Sequence, residues 1–344
     1  MIKPFCLKRG DTICVLSLSR GGPHTFPERY EAGKKQLEEW FWLRVIEWEH
    51  TFKDASWLEN NPQARADDLM NAFKNPAVKW IFTSIWWEDS IRLLPFIDFE
   101  IIKNNPKVVL GYSDTTILHF MCFKAGLTSF YGPSIMAWFG ENWWLFPYMV
   151  QWLEHTIFSN GIVWPLLPNK DERTSENLSW SNPKNQHTLR KREIATWPRW
   201  IHWKGRWSWR LLWGCLEVLE FAKSTTIWPD SSEWKDTILF LEPSEELPTE
   251  DQVKYWLRNY ASQWILKHSK WILFWRSKID KDWSQINYDD ILLKIIRDEE
   301  QLDIPIITNM DFGHTDPMLT IPYGVNCIID CENQLIKIDE TCCL

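Results

Sequence analysis

Glycine is scarce in this chain. Its 344 residues include 13 glycines, where ordinary usage of about 7% would give roughly 24. Long apolar runs are missing as well: no stretch approaches the roughly 20 residues of a membrane span, and the opening MIKPFCLKRGDTICVLSLSR lacks the unbroken apolar core of a signal peptide. A cytoplasmic location is therefore expected. Charge of one sign nowhere runs on. With 38 basic and 46 acidic residues and a net charge of −8, there is no electrostatic footprint for nucleic acid or an anionic membrane. None of the eight cysteines (Cys6, Cys14, Cys122, Cys215, Cys327, Cys331, Cys342, Cys343) forms a C-x-x-C pair. Most lie in apolar stretches, as reduced buried thiols do, so core packing is preferred to a zinc or disulfide role for Cys327 and Cys331.

What is present is a globular composition, 45% hydrophobic and 24% charged, in a length that suggests about two domains. DTICVLSL at 11–18 reads as a buried strand, followed by a turn and a helix carrying Tyr30, Gln36 and Leu37. Strands at Leu43–Ile46, Val78–Ile85 and Lys107–Leu110 alternate with helical patterns at Ala64–Phe73, Ser90–Ile97 and Thr115–Lys124. Such alternation predicts a largely parallel sheet covered by helices. Between about Ile162 and Arg192 the pattern dissolves into Pro, Asn, Ser and charge. The expected division is 1–165, a linker at 166–192, and 193–344. The second half predicts helices at Leu211–Ala222, Thr249–Tyr260 and Tyr288–Asp298, and strands at Thr237–Leu241, Trp271–Phe274, Ile304–Thr308 and Val325–Ile336.

The sharpest local feature is VVLGYSDTTILHF, an apolar strand running through a tight turn into a helix, with Ser113 at the bend. A serine there stands at the sheet edge, beside amide N–H groups at a helix N-terminus that favour a developing oxyanion. Thr115 occupies the place of the second glycine in G-x-S-x-G, and the alternative is that Ser113 merely caps the helix. Among eight histidines, His314 lies in the turn-rich NMDFGHTDPM just after an apolar strand, a good setting for a general base. His119, inside an apolar helix, and His202, among tryptophans, are weaker candidates. Glu242 ends the apolar strand TILFL and is a candidate to orient the imidazole, with Glu245 and Glu246 as competitors. Arg199, Arg206 and Arg210 are candidate receivers of a substrate carboxylate, against the plain reading of solvated surface arginines.

With those residues in view, the chain resembles the LD-carboxypeptidase and microcin C self-immunity family of serine peptidases. The resemblance is carried by KP-x-x-LKRGDTI, ARADDLMNAF, EDSIRLLPFIDF, NPKVVLGYSDTT, YGPSIMA, RLL-x-GCLEVLE, ILFLE and NMDFGHTDPMLTIPYG, spread over nearly the whole length. It implies an α/β fold with a Rossmann-like N-terminal domain built on a parallel sheet, a smaller mixed α/β C-terminal domain, and a homodimer. It implies a Ser113–Glu242–His314 triad, an oxyanion hole from the backbone N–H groups of Asp114 and Trp87, and no metal or organic cofactor. The substrate implied is a small peptide or peptidyl-nucleotide, cleaved through an acyl-enzyme. LFLEPSEE and DFGHTDPM lean toward the microcin-immunity branch. The alternatives are a muropeptide LD-carboxypeptidase of cell-wall recycling and an inactive ligand-binding relative.

Tryptophan stands where relatives tend to carry glycine at Trp42, Trp48, Trp86, Trp87, Trp138, Trp143, Trp144, Trp209, Trp213, Trp264, Trp271 and Trp275, among 26 tryptophans in all. Glycine in turns often serves φ > 0 or close backbone approach, which an indole opposes. The economical reading is that these codons specify glycine in the source organism and were written as Trp under another genetic code; the alternative is genuine tryptophan with an altered site. Trp228, before Pro229, fits as tryptophan.

Overall fold

A computed structural model describes residues 1–85, 89–162, 165–202, 205–277 and 286–344. Two sheets organise it. The first runs in the order Ile321–Pro322, Phe130–Tyr131, Val108–Gly111, Val78–Thr83, Thr12–Leu16, Arg44–Glu47. Its last five strands are mutually parallel, and Ile321–Pro322 joins antiparallel. Counted along the chain, the parallel strands lie 2-1-3-4-5, the order of doubly wound α/β sheets, whose sites form beyond the carboxyl ends of the strands. The expected Rossmann-like architecture is thus present.

The second sheet is mixed, in the order Leu335–Ile338, Asn326–Asp330, Arg206–Leu212, Thr237–Leu241, Ser269–Trp275, Ile306–Met310, Arg199–His202. The middle four are parallel and the outer strands antiparallel. All five residues of Thr237–Leu241 in this sheet, and all four of Val108–Gly111 in the first, are buried, which is why both read as unbroken apolar runs rather than alternating ones. Helix Glu250–Ser262 starts at a capping box in which Thr249 and Gln252 satisfy each other's backbone N–H. Helix Thr116–Lys124, buried from Thr116 through Phe123, packs against helix Leu216–Ala222 of the other half, and the Cys215 N–H donates to Thr116 Oγ1 at 3.2 Å.

One expected element is corrected. The helix placed at Leu211–Ala222 starts only at Leu216, because Arg206–Leu212 is a strand paired on both sides, with Thr237–Leu241 and with Asn326–Asp330. Ladder pairing on two edges outweighs the local helical pattern. His202, unplaced by sequence, ends the antiparallel edge strand Arg199–His202. Segment 166–192 carries a short strand, Glu172–Arg173, paired antiparallel with Glu193–Ile194, and a 3-10 turn at Pro183–His187. Among the described residues no helix is long and apolar enough to cross a membrane.

Candidate active site

The Val108–Gly111 strand ends at Tyr112, and the chain turns through Ser113–Thr115 into helix Thr116–Lys124. Ser113 has φ 57°, in the left-handed region that costs a non-glycine residue about 1–3 kcal/mol. Such strain, at a buried strand-to-helix bend, is what a nucleophile elbow looks like. No side chain caps the turn or the helix, so capping does not account for Ser113.

Glu242 follows the last residue of Thr237–Leu241 and is fully buried. Its Oε2 accepts the His314 backbone N–H at 2.8 Å and lies 3.1 Å from His314 Nδ1. Its Oε1 accepts the Tyr131 hydroxyl proton. The same hydroxyl accepts the Ser113 backbone N–H at 2.9 Å. Tyr131 therefore ties the backbone of the bend to the carboxylate that holds the histidine. Gly313, at φ 75°, makes this approach feasible: a Cβ there would lie 1.5 Å from Glu242 Oε2. The glycine of FGHT is a space requirement.

His314 is 8% exposed. Its Nε2 lies 2.7 Å from Glu245 Oε2, so the ring sits between two carboxylates. Burial opposes its positive charge, but Glu245 and Glu242 outweigh burial and raise its pKa from 6.5 to about 10. The folded state thus binds the His314 proton more tightly than the unfolded chain does. That contribution to stability is complete below pH 6.5 and is lost as pH rises through about 10. The stability difference between the protein and His314→Gln should accordingly be greatest below pH 6.5 and shrink toward pH 10, measured by denaturant melts across that range; a pH-independent difference refutes the buried imidazolium.

Asp114 is also buried, and its Oδ2 accepts hydrogen bonds from Ser19 and, at 3.1 Å, from the Ser90 N–H. Burial raises its carboxyl to about 7 against the lowering effect of those bonds. The side chain couples the bend to the loops after Thr12–Leu16 and Val78–Thr83. Trp87, expected to share the oxyanion hole with Asp114, lies outside the described residues.

The other sequence candidates fall elsewhere. His119 is a satisfied core histidine: Nε2 donates to the Gly111 carbonyl at 3.0 Å, Nδ1 pairs with Ser129 Oγ at 2.8 Å, and burial lowers its pKa to about 4. His202 pairs with Asp303. Arg199 pairs with Asp289, and Arg206 lies 3.8 Å from Asp330. Neither they nor Arg210 line the cleft of about 120 Å³ beside His314. Among the described residues its arginines are Arg29, Arg173 and Arg190, two of them from the segment read as a linker. Arg190 is held by Glu141 and by Asp316 at 2.6 Å, and Arg29 donates to the carbonyls of Met136 and Ala137 with the Trp180 ring 4.9 Å from its guanidinium. Among the described residues no cluster of three or more His, Cys, Asp or Glu side chains could hold a metal ion.

Sequence reasoning missed Tyr131 and passed over Glu217, which accepts both the Ser244 N–H, at 2.9 Å, and its hydroxyl, at 2.8 Å, fixing the turn after Glu242. The available signal was position: both lie within motifs of the family resemblance, YGPSIMA and GCLEVLE.

Fold and cleft define a two-sheet α/β protein whose candidate site is assembled from strand ends of both sheets. The chain belongs to the LD-carboxypeptidase family, a family of peptidases: residues 13–132 match its N-terminal domain and residues 210–329 its C-terminal domain. It is similar to the microcin C7 self-immunity protein MccF of Escherichia coli, 29% identical over 344 residues that cover 96% of this chain and 94% of that protein. Among solved structures it is similar to an MccF-like protein from Streptococcus pneumoniae in complex with AMP, at 28% identity and TM-score 0.85, covering 96% of this chain and 99% of that one. MccF in complex with aspartyl sulfamoyl adenosine superposes with TM-score 0.87 at 25% identity, covering both chains completely.

Proposed function

We propose that this protein is a serine-type carboxypeptidase in which Ser113, His314 and Glu242 act as nucleophile, base and orienting acid. The observation that carries the reading is the Tyr131 hydroxyl, joined to the Ser113 backbone and to Glu242, which in turn holds His314 Nδ1. Ser113 Oγ adds to the scissile carbonyl while His314 Nε2 takes its proton; the C–N bond then breaks as that proton passes to the leaving nitrogen, and water resolves the acyl-enzyme. The Asp114 N–H and the amide of residue 87 are the proposed oxyanion donors.

The preferred substrate is an acidic aminoacyl-nucleotide conjugate, supported by the similarity to MccF and by what MccF is seen to bind. Two domains, 1–165 and 193–344, joined by 166–192, a cytoplasmic location and a homodimer complete the proposal; the dimer is checked by sedimentation. A serine-directed phosphonate should label Ser113, and aspartyl sulfamoyl adenosine should be hydrolysed in preference to murein tetrapeptide. Exclusive release of terminal D-alanine would move the substrate to the cell wall. Ligand binding without any labelling would make the protein a binder instead of a peptidase.

A further inference from the structure

Tyr131 is fully buried at the end of strand Phe130–Tyr131, in register with Gly111 of the strand that leads into the Ser113 bend. Packing fixes its ring: Phe240 lies edge-on at 5.4 Å, and a Cβ on Gly214 would stand 3.2 Å from Tyr131 Cε2. The hydroxyl is thereby delivered to one place, between the first sheet, which carries Ser113, and the second, which carries Glu242. Glu242 is anchored there by its own backbone. Its N–H donates to the Gly214 carbonyl at 3.1 Å, and its carbonyl accepts the Leu216 N–H at 2.8 Å.

The groups around that hydroxyl dictate where its proton points. A backbone N–H can only donate, so the Ser113 N–H, 2.9 Å away, takes a lone pair of the Tyr131 oxygen. The phenol proton then goes to Glu242 Oε1. Burial and the Glu242 charge push the phenol far above its ordinary range, so the proton stays on the tyrosine. At the other oxygen the His314 backbone N–H, also a donor only, meets Oε2 at 2.8 Å. Each carboxylate oxygen therefore receives a hydrogen bond, which favours the ionised acid over the protonated one. His314 Nδ1, 3.1 Å from Oε2, faces an acceptor and carries a proton. The Ser113 amide, spent on Tyr131, is withdrawn from any developing oxyanion.

We propose that Tyr131 is a positioning residue whose hydroxyl fixes the direction of the chain Ser113 N–H, Tyr131 O–H, Glu242, His314 Nδ1–H, and so confines proton exchange with Ser113 Oγ to His314 Nε2. This rests on the peptidase reading above and adds to it a fourth side chain and an exclusion: the nucleophile's own N–H is not an oxyanion donor. As the bond from Oγ to the carbonyl carbon forms, the Oγ proton passes to Nε2, while the Nδ1 and phenol protons stay in place. Tyr131 is not among the residues lining the cleft, so it acts through Glu242 and the Ser113 backbone.

The first test needs no turnover. The His314 Nδ1–H proton is followed by NMR at fixed pH and assigned by its loss in His314→Gln. Tyr131→Phe takes one donor from Glu242 and makes it a stronger acceptor for Nδ1–H, so the resonance should move downfield. Site-specific 3,5-difluorotyrosine at position 131 keeps the ring but acidifies the hydroxyl, a stronger donor to Glu242, so the resonance should move upfield. Packing alone gives no reason for opposite shifts. Shifts of one sign, or none, overturn the proposal; should Tyr131→Phe fail to fold, the fluorinated protein against the unaltered one decides alone. The second test is kinetic, with whichever of aspartyl sulfamoyl adenosine and murein tetrapeptide the unaltered protein hydrolyses. Tyr131→Phe should lower kcat roughly 10- to 100-fold, the worth of one hydrogen bond to a charged group, and leave KM within about twofold. A loss carried by KM, or an unchanged kcat, overturns it. Should neither compound be hydrolysed and Ser113 resist the phosphonate, the peptidase reading falls, and the paired NMR shifts still decide whether Tyr131 directs the chain.

Discussion

Ser113→Ala is expected to reduce kcat by about 10⁴-fold or more while leaving the fold intact. On the proposed mechanism the loss is large because the nucleophile has no substitute: residual turnover would come only from binding and from the proposed oxyanion donors, which the substitution does not touch. The fold should survive because the Ser113 side chain caps nothing and the hydrogen bond that anchors the bend runs through its backbone N–H to Tyr131. Alanine tolerates φ 57° no better and no worse than serine, so the melting curve should match within about 1 kcal/mol. Glu242→Gln should cost less in rate and more in stability, since it leaves a buried imidazolium short of one carboxylate. Undiminished hydrolysis by Ser113→Ala would remove Ser113 from the chemistry and, with it, the triad.

Much of the candidate site was readable before any coordinates, for a definite reason. VVLGYSD, TILFLE and IPIITNMDFGH each join an apolar run to a polar residue at its carboxyl end, and open α/β sheets place their chemistry at the carboxyl ends of their parallel strands. Strand ends are local features, so Ser113, Glu242 and His314 could be picked singly. What brings them together is not local. Tyr131 reaches Glu242 across 111 residues of sequence, and Glu242 reaches His314 across 72. No periodicity records such meetings. Glu245 could be named as a rival of Glu242 for the same role, but only geometry separates them: one carboxylate faces Nδ1 and the other Nε2. The segment 166–192 was misleading for a related reason. Its polar, turn-rich composition reads as exposed connector, yet Arg173, Thr174 and Arg190 are buried against the cleft through ion pairs and hydrogen bonds that composition cannot reveal.

The tryptophans carry the other large expectation. Trp42, Trp143, Trp213 and Trp264 have φ of 53°, 73°, 114° and 64°, and all four belong to the positions read above as glycine. Trp42 is the left-handed cap of helix Pro27–Phe41, and Trp264 follows the C-cap of helix Glu250–Ser262, the places where helices end on glycine. A second observation agrees. The indole N–H groups of Trp209, Trp213, Trp271 and Trp275 are buried without a hydrogen-bond partner among the described residues, as is that of Trp80, whereas Trp228 donates to Gln263 and Trp234 to the Pro229 carbonyl. Each unsatisfied buried donor costs about 1–3 kcal/mol. At Trp213 the benefit of glycine competes with the loss of ring packing against Trp234 and Tyr260, so the sign there depends on how the neighbours repack. At Trp42, Trp143 and Trp264 the competition is weak, because all three residues are more than half exposed and glycine would give up only surface contacts: Arg9 over the Trp42 ring, the Trp143 N–H donated to the His187 carbonyl, and Lys267 over the Trp264 ring. Glycine at these three positions together should stabilise the protein by roughly 2–4 kcal/mol, about 1 kcal/mol per relieved left-handed residue, and raise its melting temperature by several degrees. In the gene, the four left-handed positions should share one codon that differs from the codon at Trp228 and Trp234. Ordinary tryptophan codons at all six, with a triple glycine variant no more stable than its parent, would defeat the glycine reading.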